Sequence, residues 1–223
     1  MEIPLFPLHN LVLFPNVAVP LHIFEDRYKL MINSCIDNDE PFGLVLLRAG
    51  TDEEREETMH RVGVTARVIN VERLDDGRLN ILAEGESRFR IVRFTGQMPY
   101  WKASVTLLED SGSAASADLV DYEEVSRLYR TVFELGARLG ISEESGVNVP
   151  DSPVELSYMV SYVLDIDSEE KQRLLEMTTV GERFHVLVQH LKEAINKLEE
   201  RIALKAKIVK IQGNGHLGRP GGE

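Results

Sequence analysis

The chain has 223 residues, 43% of them hydrophobic, which is enough to bury one large core or two small ones. Its 37 acidic and 25 basic residues give a formal net charge of −12, which disfavours binding to nucleic acids and to anionic membranes. The single cysteine, Cys35, excludes an internal disulfide, and no apolar run approaches the ~18 residues that span a membrane. The chain begins with Met1 and Glu2 rather than a basic segment leading into an apolar one, so we expect a cytoplasmic protein without a secretion signal.

Residues 1–110 show the two-residue hydrophobic period of half-buried strands. The alternation is clearest from Val62 to Val68, and the apolar positions then shift by one residue, which predicts a bulge in a sheet that closes on itself. Asp75, Asp76 and Gly77 predict the turn of a hairpin, since glycine adopts the positive φ that such turns need. This part of the chain is therefore predicted to form a small β-barrel.

A stretch near the N-terminus, FEDRYKLMINSC, predicts a helix that begins near Glu25. One face of this helix gathers four side chains that we expect to be buried: Tyr28, Met31, Ile32 and Cys35. Arg27 lies beside two carboxylates, and we expect it to pair with one of them in a structural role, with catalysis as the alternative. The stretch is therefore interpreted as scaffolding.

The hydrophobic period changes from two residues to 3.6 beyond a segment of small residues, SGSAAS. We therefore divide the chain into a β-barrel subdomain (1–110), a linker (111–117), a helical bundle (118–212) and a disordered tail (213–223). The predicted fold class is α+β, with strands first and helices after them.

Four helices are predicted after the linker, the last of them long. Three begin at residues whose side chains accept hydrogen bonds from free helix N–H groups: Ser152, Asp167 and Thr179. In the last helix, apolar residues repeat with the heptad spacing that packs one helix against another: Leu191, Ile195, Leu198 and Ile202. This seam favours packing within the bundle or against a second chain, so a homodimer through the C-terminal helix is one hypothesis.

The sequence contains no motif with the spacing of a known catalytic or metal site. A G-x-G-x-x-G pattern at Gly213, Gly215 and Gly218 lacks the strand and helix that direct such glycines towards a dinucleotide. His185 and His190 lie five positions apart, whereas two ligands on one helical face need a spacing of three or four. We therefore predict no cofactor, no bound metal and no enzymatic activity, with an enzyme of unrecognised type as an alternative.

Several segments resemble a known family, and they occur in the family's order along nearly the whole chain. They are IPLFPLHNLVLFPNVAVPLHIFEDRY from Ile3, VGVTARV from Val62, GESRFRI from Gly85, PYWKASV from Pro99, KQRLLEM from Lys171 and GERFHVL from Gly181. Together they resemble the N-terminal substrate-binding domain of ATP-dependent Lon proteases, and more closely the stand-alone bacterial proteins that carry only this LON domain. The resemblance implies a PUA-like pseudo-barrel followed by a helical bundle, and the recognition of unfolded or damaged polypeptides.

Full-length Lon proteases continue into an ATPase module and a serine–lysine peptidase domain, and this chain ends before either. The resemblance therefore implies a non-catalytic protein-binding module without proteolytic activity of its own. Its expected partners are unfolded or specific client polypeptides, and a separate protease or chaperone that accepts them is a further hypothesis.

A polypeptide-binding surface requires apolar side chains that rigid turns hold out of the core. Two proline-containing turns supply the candidates for this surface: Leu11, Phe14, Pro15, Val17, Met98 and Tyr100. The alternative is that these side chains fill the ends of the barrel.

RNA binding is the alternative function, since PUA-like barrels include members that bind RNA. Arg88, Arg90 and Arg93 form the densest basic cluster of the barrel half. Their alternation with Phe89 and Ile91 suits an ordinary amphipathic strand equally well, so the main prediction remains protein binding without nucleic acid.

Overall fold

The computed structural model describes residues 1–48, 50, 55–110, 116–141 and 147–214, with side chains for all of these except 116–120 and 209–214. Within this part of the chain there are six strands and five helices. They are β1 (Glu2–Leu8), β2 (Ala18–Ile23), α1 (Asp26–Asn38), β3 (Phe42–Leu47), β4 (Met59–Arg73), β5 (Leu79–Gly96), β6 (Lys102–Leu108), α2 (Ser116–Leu139), α3 (Pro153–Val163), α4 (Ser168–Glu176) and α5 (Val180–Asn214). All strands precede the four helices of the second half, which is an α+β arrangement.

The six strands form one mixed sheet in the order β2-β5-β4-β3-β1-β6, and β6 also pairs with β5. β5 pairs with β2 from Leu79 to Glu84 and with β6 from Arg88 to Gly96. The pairing with β6 closes β5, β4, β3, β1 and β6 into a ring of five strands. β1 and β3 run parallel. The register of β4 against β5 shifts after Val68, which confirms the predicted bulge, and Gly77 has a φ of +80° in the predicted hairpin turn.

One hydrophobic core lies inside the strand ring. It consists of Ile3, Leu5, Val45, Leu47, Met59, Phe89, Ile91, Trp101, Ala103 and Val105. The Phe89 ring fits between two glycines, since a Cβ added to Gly43 or Gly63 would lie only 2.8 Å from Phe89 Cζ. Side chains that alternate with this set point outwards, which directs Arg88 towards the helices.

A second and larger core lies between the outer face of the strands, α1 and the helices of the second half. α1 contributes the four side chains predicted to be buried: Tyr28, Met31, Ile32 and Cys35. Arg27 donates to Glu25 at 2.9 Å and its guanidinium lies 4.5 Å from the centre of the Tyr28 ring, so its predicted pairing with a carboxylate is confirmed. The predicted helix therefore serves to cover the outside of the strand ring.

Three helices of the second half, α3, α4 and α5, begin at the predicted caps. The Ser152 hydroxyl, the Asp167 carboxylate and the Thr179 hydroxyl accept hydrogen bonds from the backbone N–H groups of Glu155, Glu170 and Glu182, respectively. α2 ends where Gly140, with a φ of +75°, allows the chain to turn. Of the heptad seam on α5, Leu191 is buried and Ile195 packs against the core, so this part of the seam lies within the bundle.

The domain boundaries stay predictions. β6 ends at Leu108 and α2 begins at Ser116, so most of the predicted linker falls on residues 111–115, outside the described residues. α5 reaches Asn214, and the rest of the predicted tail also lies outside them. The larger core contains residues of both halves, which makes their packing continuous.

The thiol of Cys35 is expected to react slowly in the native protein. The side chain is buried on α1, and burial raises its pKa to about 11 from an ordinary value of 9.0. A higher pKa leaves less of the nucleophilic thiolate at pH 8, so Ellman's reagent should react roughly 100-fold more slowly with native than with guanidinium-unfolded protein. Equal rates in the two states would contradict the burial of α1.

Candidate functional site

The six residues predicted for a polypeptide-binding surface have very different exposures. Met98 is 85% exposed, whereas Phe14 is fully buried. Pro15 is also buried, and the other three are partly buried against the larger core: Leu11, Val17 and Tyr100. The expectation that the turn holds the side chains of Phe14 and Pro15 out of the core is therefore corrected, although a binding role for the exposed members stays a prediction.

The burial of Phe14 follows from how its loop is attached to β5. Asn16 N donates to Gly85 O at 2.8 Å, and Gly85 N donates to Val17 O at 2.9 Å. A Cβ at Gly85 would lie 2.3 Å from Phe14 O, so only glycine lets the loop approach this closely. The ring of Phe14 then lies 6.0 Å from that of Tyr158 on α3, between the strands and the helices.

A charged cluster of Arg88, Asp110, Tyr158 and Arg183 lies between the strand ring and the helices. The two arginines are 1% and 0% exposed, and their Nη2 atoms lie 3.1 Å and 2.6 Å from Asp110 Oδ1. The Tyr158 hydroxyl donates to the other Asp110 oxygen, and burial raises the pKa of this hydroxyl. One carboxylate thus faces two buried guanidinium groups.

Backbone carbonyls at the end of α4 supply further hydrogen-bond acceptors for the two arginines. Arg88 Nη1 donates to the carbonyls of Leu175 at 2.8 Å and Met177 at 2.7 Å, and Arg183 Nη1 donates to Met177 at 2.9 Å. Carbonyls at a helix C-terminus lack helical partners and carry partial negative charge, so they suit these cations. The charged cluster therefore holds α3, α4 and α5 against β5.

Arg88 is therefore buried and cannot contribute to an exposed binding surface. The predicted basic cluster is reduced to Arg90 and Arg93, which are exposed on β5. Two segments on which the family resemblance rests, GESRFRI and GERFHVL, supply the two buried arginines. Their contribution is the packing of the two halves, a role that alternation along a strand could not reveal.

A second polar contact attaches α4 to β4. The nitrogens of the buried His60 ring lie 3.1 Å from Glu169 Oε2 and 3.5 Å from Glu176 Oε1, and Gln172 Nε2 donates to Val62 O at 3.0 Å. The hydrogen bond with His60 lowers the pKa of the Glu176 carboxyl. Among the residues that the structure describes, no group of three or more His, Cys, Asp or Glu side chains is placed to hold a metal ion.

The helical half carries an open apolar groove of about 370 Å³, here called the bundle groove. Its apolar lining comes from α2, the turn between α3 and α4, and α5, and includes Tyr129, Val132, Phe133, Leu164, Leu191 and Leu198. At its rim, Ile141 is 63% exposed and Val163 is 45% exposed. Apolar side chains left open to water in this way are typical of a surface that receives another apolar group.

Charged side chains of both signs surround the apolar lining of the bundle groove. They are Asp165, Glu193, Lys197 and Arg201. The sequence interpretation missed this site because its lining comes from three segments far apart in the chain, and the two helices among them have the pattern of ordinary core-facing helices. A local signal was available in α3, whose sequence PVELSYMVSYV carries apolar residues on several faces and ends at Val163.

No helix in the described ranges contains a segment long and apolar enough to cross a membrane.

The strand ring, the helices packed on it and the bundle groove define an α+β domain with an open apolar surface. The family model of the ATP-dependent protease La (LON) substrate-binding domain matches residues 2–193, so the chain belongs to this family. The predicted resemblance to Lon N-terminal domains is confirmed.

Curated relatives are longer proteins. Lon protease 2 of Myxococcus xanthus is 27% identical over 221 residues, which cover 96% of this chain and 27% of that protein. Lon protease 2 of Herpetosiphon aurantiacus is 30% identical over 207 residues, which cover 89% of this chain and 24% of that protein. The chain thus spans about a quarter of the length of these relatives.

Solved structures show the same fold. A Lon N-terminal domain protein from Xanthomonas campestris superimposes with a TM-score of 0.60 at 21% identity and covers 85% of this chain and 98% of that chain. The N-terminal domain of Mycobacterium avium complex Lon protease gives a TM-score of 0.66 at 19% identity, with coverages of 86% and 98%. The chain therefore has the Lon N-terminal domain fold.

Proposed function

We propose that this chain is a non-catalytic protein-binding module that recognises exposed apolar segments of unfolded or client polypeptides. The observation that carries the proposal is the bundle groove, an apolar surface open to water in a chain of a substrate-binding family. Folded proteins bury most large apolar side chains, whereas unfolded chains expose them. A surface that accepts such side chains therefore distinguishes unfolded from folded proteins.

The chemistry of the bundle groove suits a segment with a few bulky apolar side chains. Burial of apolar surface stabilises a complex by about 25 cal/mol per Å², so several side chains must be inserted together to give useful affinity. The charged residues at the rim, Asp165 and Lys197 among them, remain available to polar groups that flank the inserted side chains. Such a site selects for apolarity rather than for one sequence.

Further features extend the proposal. The strand ring corresponds to a PUA-like pseudo-barrel. The chain acts in the cytoplasm without ATPase or peptidase activity, and a separate protease or chaperone accepts the polypeptides that it binds.

A homodimer through α5 is supported by Leu204 and Ile208, which are 59% and 46% exposed near the end of this helix. Light scattering at micromolar concentration tests that dimer, and a monomer would exclude it.

Introducing a charge at the rim of the bundle groove is expected to weaken binding. The probe is a fluorescently labelled globular protein kept unfolded by reduction and carbamidomethylation, and its affinity is measured by anisotropy. Val163→Glu should weaken binding by about tenfold or more, because a carboxylate must then be desolvated beside apolar side chains. The same globular protein with its disulfides intact should not bind.

Two matched variants locate the surface. Val92→Glu introduces the same charge on β5 at a valine that is 61% exposed, and it should leave the affinity unchanged. Met98→Glu tests the exposed member of the surface expected from the turns. A loss of affinity with Met98→Glu and none with Val163→Glu would move the site from the bundle groove to the barrel turn.

A further inference from the structure

In the described part of the chain, one stretch of the β4 edge lacks a partner strand. β3 pairs with β4 only as far as Ala66, whereas β5 pairs with β4 as far as Arg73. The edge of β4 that faces β3 therefore continues without a neighbouring strand from Arg67 to Arg73, among the described residues. Unpaired strand edges present backbone donors and acceptors that another strand can bind.

The hairpin geometry shows which backbone groups face this edge. Leu74 N donates to Arg78 O at 2.9 Å and Leu74 O accepts from Gly77 N at 2.9 Å, so both backbone groups of Leu74 face β5 across the turn. Hydrogen-bonded pairs alternate along an antiparallel ladder, so Glu72 bonds to β5 while Val71 and Arg73 do not. The N–H and C=O groups of Val71 and Arg73 consequently point away from β5.

A groove of about 270 Å³ lies between this edge and the C-terminal part of α1, and we call it the β4-edge groove. Its lining includes Cys35, Ile36, Val68, Ile69 and Val71. Side chains hold α1 beside the strand at two points, since Arg67 Nη1 donates to Asp39 O at 2.8 Å and Arg73 Nη1 donates to Asn33 Oδ1 at 2.7 Å.

We propose that an extended segment of a bound polypeptide adds to β4 as a short strand, which pairs with Val71 in the β4-edge groove and with Arg73 just beyond it. The inference rests on the proposed function and adds a second contact to it, one made by backbone hydrogen bonds instead of apolar side chains. An edge strand beside a helix is a known way to bind extended peptides. Because backbone groups are common to all sequences, this contact suits a partner that is unfolded and variable.

A proline at Val71 tests the contact. Val71→Pro removes the N–H that faces the groove, and the β4–β5 bonds remain because Val71 does not donate to β5. Affinity for the unfolded probe described above should fall by about threefold to tenfold, as expected for the loss of a backbone hydrogen bond. Val71→Ala is the matched control, since it shortens the same side chain and keeps the N–H.

Amide hydrogen exchange in the wild-type chain provides a readout that does not depend on a variant. Without probe, the amides of Val71 and Arg73 should exchange quickly and that of Glu72 slowly. At saturating probe, exchange at Val71 and Arg73 should slow by about tenfold or more, with Glu72 unchanged.

The outcomes separate the two proposals. If the wild type binds the probe and Val163→Glu weakens binding, unchanged exchange at Val71 and Arg73 overturns the β4-edge contact and leaves the proposed function intact. Slow exchange at these two amides before the probe is added also overturns it, because the edge is then already paired. If the wild type fails to bind the probe, both proposals fail.

Discussion

Replacing Asp110 with alanine is expected to lower the free energy of unfolding by about 3–5 kcal/mol, as for other buried ion pairs that lose one partner. Asp110 is the only carboxylate within the charged cluster as the structure describes it, and it faces the guanidinium groups of Arg88 and Arg183. Without it, two cations that are 1% and 0% exposed keep carbonyl, hydroxyl and aromatic partners but no negatively charged one among the described residues. A loss of this size is a large part of the 5–15 kcal/mol typical of folded proteins.

Urea unfolding followed by circular dichroism measures this effect. Asp76→Ala is the matched control, because Asp76 pairs with Arg78 at the surface, where the two side chains are 51% and 47% exposed. Its midpoint should move far less, since exposed ion pairs contribute little to stability. Equal shifts for the two variants would show that the charged cluster does not hold the two halves together.

Phe14→Ala is expected to destabilise the protein by about 3–5 kcal/mol, the usual cost of removing a large aromatic side chain from a core. Phe14 is fully buried and packs near Tyr158, so its loss leaves a cavity between the strands and the helices. Phe24→Ala is the matched control, since Phe24 is 62% exposed. Its effect should stay within about 0.5 kcal/mol, as for most surface substitutions.

Thermal or urea unfolding of the two phenylalanine variants distinguishes a core residue from a binding residue. If Phe14→Ala kept wild-type stability and lost affinity for the unfolded probe, Phe14 would belong to the binding surface and its buried position would be wrong. The expected pattern is the reverse, with lower stability and, in the remaining folded molecules, unchanged affinity. In the N-terminal half, the exposed Met98 remains the residue at which a binding role is tested, by the Met98→Glu variant.

Features that depend on neighbouring residues were predictable from the sequence. The helical spacing of Tyr28, Met31 and Cys35 indicated the buried face of α1, because one helix face repeats every three or four residues. The cap at Asp167 and the turn at Gly77 were equally local, since each depends on one side chain or one backbone conformation. The parity shift after Val68 indicated a bulge for the same reason.

Features that depend on contacts between distant residues were not predictable from the sequence. Phe14 sits between prolines in a turn, a position typical of a surface loop, yet Gly85 on β5 draws the loop into the core. Arg88 alternates with Phe89 as in any amphipathic strand, and its burial depends on carbonyls near residue 175, almost ninety positions later in the chain. A pattern read along the chain cannot tell whether a polar face meets water or another subdomain.

By itself, the amino-acid sequence determined the α+β order of elements, the helix starts, the hairpin and the family to which the chain belongs, because each of these depends on residue types at short spacing or on segments in a fixed order. Only the tertiary structure decided that the arginines of two family segments converge on Asp110, that Phe14 is core, and that α2, the end of α3 and α5 leave an apolar groove open. Those properties arise when elements far apart in the chain pack together, since burial and convergence are defined by neighbours in space.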